Sequence, residues 1–144
     1  MRYLLVDAHS VIFAWPELRS LHSRRNSLAR DELVKRLTHF QDVSEYHVIA
    51  VFDGQGRKNS ASSDAAGIQV FYSSAHSTAD AIIERLAAKY GATHDLTVVT
   101  NDQLEQQTVS TFGSLAISVE TFLHWILEAD RDFQKEVRKR RLKL

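Results

Sequence analysis

Short unbroken apolar runs alternate along this chain with longer stretches in which apolar residues recur every three or four positions. The runs Tyr3–Val6, His47–Phe52, Ile68–Tyr72, Leu96–Thr100 and Leu115–Ile117 are too short for helices and rich in β-branched and aromatic residues, so they predict strands. Between them, Leu28, Leu33, Val34, Leu37 and Phe40 fall on one stripe of a helix across 28–42. Ala79, Ile82, Ile83, Leu86, Ala87 and Tyr90 do the same over 78–90, with Gly91 as the C-cap. A further helix spans 102–112 and stops at Gly113. Ser118 caps a last one that starts near Val119 and buries Phe122, Leu123, Trp125 and Ile126. Pro16, the sole proline, marks a turn or helix start after the first strand.

Nearly continuous apolar strands separated by amphipathic helices imply a mainly parallel sheet covered on both faces, hence a three-layer α/β domain. The 144 residues, 44% of them hydrophobic, suffice for one core and not for two ordinary ones. Residues 54–67 lack apolar periodicity and are rich in Gly, Ser and Ala, which predicts a mobile surface loop or flap. Basic and acidic residues balance at 18 each, so any nucleic-acid or membrane partner needs a local patch. No cysteine is present, which removes disulfides and thiolate metal sites. The opening residues form neither a signal peptide nor a membrane span, and a soluble, cytoplasmic protein is expected.

Ligands of open parallel sheets bind beyond the carboxyl ends of the strands. Asp7 ends the first predicted strand, Asp53 the second, Asp102 follows the fourth, and Asp80 enters the helix after the third. Four acids from distant parts of the chain therefore point to one end of one sheet. Like charges brought so close repel, and a divalent cation relieves the repulsion. Carboxylates without cysteine or paired histidines suit Mg²⁺ or Mn²⁺, and hence metal-assisted phosphodiester hydrolysis. Glu84, four residues after Asp80, shares its helix face and is an additional candidate. Each residue also has an ordinary role: Asp at a helix cap, Asp53-Gly54 as a turn, Glu84 and Arg85 as a solvated face, His9 and Ser10 as a capping pair, His76 as a loop residue.

The same segments carry a family resemblance. "LLVDAHSVI" resembles a strand followed by Asp-Gly-Tyr-Asn-x-Ile, "STADAIIERLA" a Thr-Ala-Asp-x-x-Ile-Glu helix start, and "VVTNDQLEQ" a Val-x-Thr-Ser-Asp-x-x-Glu-Gln element. "FGSLAISVETF" completes the order with a Gly, a short strand and a Ser-capped helix. Over most of residues 2–127 the chain resembles the YacP-like NYN domains, within the PIN-like nuclease group that includes ribosome-associated endoribonucleases. The resemblance implies a PIN-like (NYN) fold over 1–130 with a basic helical extension over 131–144. It implies a catalytic metal centre of Asp7, Asp80 and Asp102, joined by Asp53 and Glu84, that uses Mg²⁺ or Mn²⁺ to cleave single-stranded RNA, including mRNA on the ribosome. Ala8, His9 and Ser10 stand where the family has Gly, Tyr and Asn, and Asn101 replaces a Ser, so substrate positioning should differ.

Substrate contacts are assigned to Ser10, Asn101, Arg57, Lys58, Arg138 and Arg140. The stretch 131–144 holds seven Lys or Arg against two acids and offers a salt-sensitive phosphate contact, or simply cations near the negative pole of a helix. Arg24 and Arg25 could flank the acids, and Trp15 and Tyr72 could stack on bases, although core packing suits both. The altered "DAHS" segment leaves a second reading, an RNA- or ribosome-binding module of the same fold with weakened catalysis. A phospho-accepting receiver domain would need paired acids at the first strand and a lysine after the last; position 8 is Ala and "LAIS" has no lysine.

Overall fold

The computed structural model describes residues 1–54, 62–63 and 67–142. Strand β1 (Arg2–Asp7) lies at the centre of the sheet because four consecutive residues, Leu4 to Asp7, are buried, which only a strand covered on both faces allows. It pairs in parallel with β2 (Tyr46–Phe52) on one side and β5 (Asp95–Val99) on the other. Beyond β2 come β4 (Gln69–Tyr72), parallel, and the two-residue antiparallel β3 (Ser62–Ser63); beyond β5 comes β6 (Leu115–Ile117), parallel. The order is β3-β4-β2-β1-β5-β6. The sheet is thus built outward from β1 in one direction, and the chain then returns to build in the other.

Alternation along β1 divides the core into two layers. Leu4 and Val6 pack with Val11 of α1 (Ala8–Ala14), Leu18 of α2 (Pro16–Arg24), Leu33, Leu37 and Phe40 of α3 (Asn26–Val43), and Phe122 of α6 (Val119–Leu142). Leu5 faces the other way, with Val51 and Val98, onto Ile82, Ile83 and Ala87 of α4 (Ala79–Tyr90) and Val109 of α5 (Gln103–Thr111). Full burial of each such aliphatic side chain stabilises the fold by about 1.5–3 kcal/mol. The three-layer α/β architecture is therefore the one expected.

The predicted strands and later helices are present, with ends shifted by a residue or two. Residues 8–24, where the sequence placed only a capping pair and a turn or helix start at Pro16, form two helices, and Pro16 is a helix start, at the first position of α2, where a missing N–H costs nothing. Of the predicted flap, residues 55–61 and 64–66 lie outside the described residues, and Ser62–Ser63 form an edge strand against Val70 and Phe71. Gly91 ends α4 as expected, but in right-handed backbone. A Cβ there would stand 2.5 Å from the Ala87 carbonyl oxygen and 2.6 Å from that of Phe112, so glycine is required by close approach. Gly113, at φ +93°, takes the left-handed turn after α5.

Helix α6 is continuous through the proposed boundary at 130/131. Its first residue adjoins the carboxyl end of β5, where the Val119 N–H donates to Asn101 Oδ1 (2.8 Å). Trp125 already stacks on Tyr46 at the amino end of β2, with centroids 5.6 Å apart. The last two turns therefore project beyond the opposite end of the sheet.

Candidate active site

The strand order reverses between β1 and β5, and a ligand crevice is expected above that pair. A cleft of about 380 Å³ opens there, lined by Asp7, His9, Ser10, Asp53, Ser73, Ser74, Thr78, Ala79, Asp80 and Asp102. The four aspartates picked from the sequence thus share one cavity.

Asp7 is 5% exposed and occupies the N-cap position of α1, yet its carboxylate makes no capping hydrogen bond. Instead its Oδ2 accepts from the Ser10 hydroxyl (2.8 Å) and the Thr100 hydroxyl (3.0 Å). Each hydroxyl is itself held by a backbone N–H, Ser10 Oγ by Asn101 (3.1 Å) and Thr100 Oγ1 by Asp102 (3.2 Å). Two successive amides after β5 therefore aim two hydroxyls at one carboxylate oxygen, which fixes the side chain without using it as a cap.

Asp102 does act as a cap: its Oδ1 accepts from the N–H groups of Leu104 (3.0 Å) and Glu105 (3.3 Å). On α4 the cap is Thr78, bonded to the Ala81 N–H (3.1 Å), which leaves the neighbouring Asp80 to the cleft. Asp80 is shifted above the usual carboxylate range, first by desolvation, then by repulsion from Asp7, Asp102 and Glu84, with His9 opposing. Those causes place Asp7, Asp102 and Glu84 close enough to Asp80 for their charges to act on it.

One acid of the site escaped the sequence analysis. Glu105 is 3% exposed, and its Oε1 finds no hydrogen-bond partner among the described residues. Burial, the charge of Asp80, a hydrogen bond to the Glu84 carboxyl and the charges of Glu84 and Asp7 push it up to about 8. Asp102 and Glu105 are spaced as in a capping box, in which the glutamate would reach back to the N-cap amide. Here Thr100 Oγ1 takes that amide, and Glu105 turns to Glu84 instead. The Asp-x-x-Glu spacing was the visible signal.

The remaining candidates separate. Asp53 lines the cleft and accepts from the Ser73 hydroxyl (3.1 Å), which also receives the Gly54 N–H (2.8 Å). Ser10 and Asn101, assigned to substrate, hold Asp7 and the start of α6 respectively. Arg57 and Lys58 lie outside the described residues. Arg138 and Arg140 are near the far end of α6, about 30 Å from its first turn at 1.5 Å per residue, and Arg140 pairs with Glu136 (3.4 Å). Trp15 packs against the core under Arg36, whose guanidinium is 4.4 Å from the ring centroid.

Among the described residues no three His, Asp or Glu side chains are drawn together tightly enough to hold a metal ion as they stand. Mg²⁺ binds through one or two carboxylates and keeps several waters, so it does not need a closed protein cage. The mutual repulsion at Asp80 and the orphaned Glu105 oxygen fit a cation at this place. The four aspartates that line the cleft offer the oxygen donors that suit a hard one.

The family described as the YacP-like NYN domain matches residues 4–143. The uncharacterized protein YacP of Bacillus subtilis (strain 168) is 31% identical over 141 residues, covering 96% of this chain and 83% of that one. The crystal structure of Rae1 (YacP) from Bacillus subtilis superposes with a TM-score of 0.75 at 31% identity, covering 96% of this chain and 81% of that one. The W164L mutant superposes at 0.80 with 29% identity, covering all of this chain and 86% of that one. No helix among the described residues is long and apolar enough to cross a membrane.

Proposed function

The chain belongs to the YacP-like NYN domain family, and from that membership and its acid-lined cleft we propose a metal-dependent endoribonuclease acting on single-stranded RNA, including mRNA on the ribosome. The observation that carries the reading is Glu105, a carboxyl buried with an orphaned oxygen beside Glu84 and Asp80 at the strand-order reversal. Buried acids facing other acids destabilise a fold. A cation and a phosphodiester give that cost a purpose.

Asp7, Asp80 and Asp102 would hold Mg²⁺ or Mn²⁺, with Asp53 and Glu84 at the margin. Such an ion would supply an activated water and offset charge on the phosphate oxygens. The rest is the work of this chain. Ser10 and Thr100 lock the direction of the Asp7 carboxylate, Thr78 relieves Asp80 of capping duty, and Glu105, pushed up to about 8 by burial and the neighbouring acids, limits the negative charge facing RNA. Ser74 and Thr78 line the cleft beside the carboxylates.

A catalytically weakened RNA- or ribosome-binding module is the second reading. It is favoured by one observation: the polar groups of Ser10 and of the Asn101 side-chain carbonyl are engaged inside the protein. Cleavage of a mixed structured and unstructured RNA pool in Mn²⁺, with and without ribosomes, compares wild type with Asp80→Asn. Metal-dependent cuts that vanish in the variant are expected. Undiminished cutting by the variant would sink the assigned site, and RNA or ribosome binding without any cut would select the second reading.

A further inference from the structure

A neutral chain with an acidic cleft cannot draw RNA in by charge at the point of cutting. Contact with the bases is a source of affinity there that needs neither a bound cation nor a basic side chain. Beside the cleft, three rings stand in a row. His9 and Phe13, four residues apart on the outer face of α1, have ring centroids 4.5 Å apart at 39°. Phe13 in turn meets His22 of α2 at 4.8 Å and 63°.

Core packing does not account for this row. Helix α1 buries Ala8, Val11 and Ile12, which lie on its other side, and Phe13 remains 40% exposed. The rings edge a hollow of about 120 Å³ backed by Ile12 and Phe52, with Arg30 at its margin. That hollow adjoins the carboxylate cleft, since both are lined by His9 and Asp53.

We propose that His9, Phe13 and His22 form a stacking platform for one nucleobase of an RNA strand whose backbone passes the cleft carboxylates. The proposal rests on the nuclease reading and names what positions its substrate. Every base has a π-face, so the platform tolerates any sequence. An arginine at the rim can lie against the base or meet a flanking phosphate. The rings are positioning residues.

The test uses the full chain and a labelled short single-stranded RNA, alongside copies in which one abasic ribose is moved along the strand. In chelator, Phe13→Ala and His9→Ala should each weaken binding by about fivefold or more, and Phe13→Trp should retain it. One abasic position should weaken wild-type binding by a similar factor and cost Phe13→Ala nothing further. In Mn²⁺, Phe13→Ala should raise KM with kcat nearly unchanged. Binding that ignores both the Phe13→Ala change and every abasic position overturns the platform, whether or not RNA is cut. Ring-dependent binding without metal-dependent cutting keeps the platform and defeats the nuclease reading instead.

Discussion

The Thr100 hydroxyl donates to Asp7 Oδ2 at 3.0 Å across 93 positions of sequence, and the same hydroxyl oxygen receives the Asp102 N–H at 3.2 Å. One fully buried threonine thus ties two cleft acids, one ending β1 and one capping α5, into a single arrangement. Thr100→Val keeps the shape and removes both bonds, leaving a buried carboxylate short of a donor and an amide without an acceptor. A loss of about 1–3 kcal/mol is expected in urea unfolding, with a fall in RNA cleavage. Thr100→Ser should restore both.

The shifted acids set a pH dependence. Glu105, raised to about 8 in the fold from an ordinary 4.5, keeps a proton that the unfolded chain releases. The native state binds more protons through that interval, so stability falls as pH rises. Asp80, shifted in the same direction from 3.8, has the same sign. In chelator the melting temperature should decline from about pH 5 to about pH 8. Glu105→Gln should flatten that decline, and a slope unchanged in this variant would assign it elsewhere.

Removing residues 131–144 takes away seven basic residues against two acidic ones, among them Arg138 and Arg140 at the end of α6 remote from the cleft. RNA or ribosome binding should weaken and its dependence on salt should become shallower, by about 0.7 in log–log slope for each single-strand phosphate that the tail no longer neutralises. Cleavage of RNA too short to reach from cleft to tail should be unaffected. Salt titrations of intact and truncated protein check the first part, and a substrate-length series the second.

Gly91→Ala tests a constraint that has nothing to do with backbone torsion. The new methyl would meet two carbonyl oxygens at 2.5 and 2.6 Å, forcing α4 and the turn after α5 apart. Overpacking of this kind costs about 1–3 kcal/mol. Thermal unfolding should show the loss, with cleavage retained below the transition.

Much of this was legible in the sequence because the code for it is local. Apolar runs such as "LTVVT" announce buried strands, and the acids that follow them mark the active end of a parallel sheet without reference to any partner. Helices α1 and α2 were harder, since each has about two turns and the buried positions are interrupted at Trp15-Pro16, too little for a period to establish itself. Glu105 was hidden for a different reason. Between Leu104, 75% exposed, and Gln106 it reads as a surface residue, and its burial exists only because α4 packs against α5 and brings Glu84 to it. The row of rings was equally invisible, because His22 reaches Phe13 from another helix.

Helix α6 begins where Asn101 fastens it beside the cleft and ends, 24 residues on, in a cluster of arginines and lysines. A helix is stiff over such a length, about 36 Å. When the basic end rests on a phosphate-rich surface, the cleft is held at a fixed reach from it, as the jaws of a caliper are. The place of the cut would then be measured from a landmark rather than read from the bases, and lengthening α6 by whole turns would move the cut along the RNA.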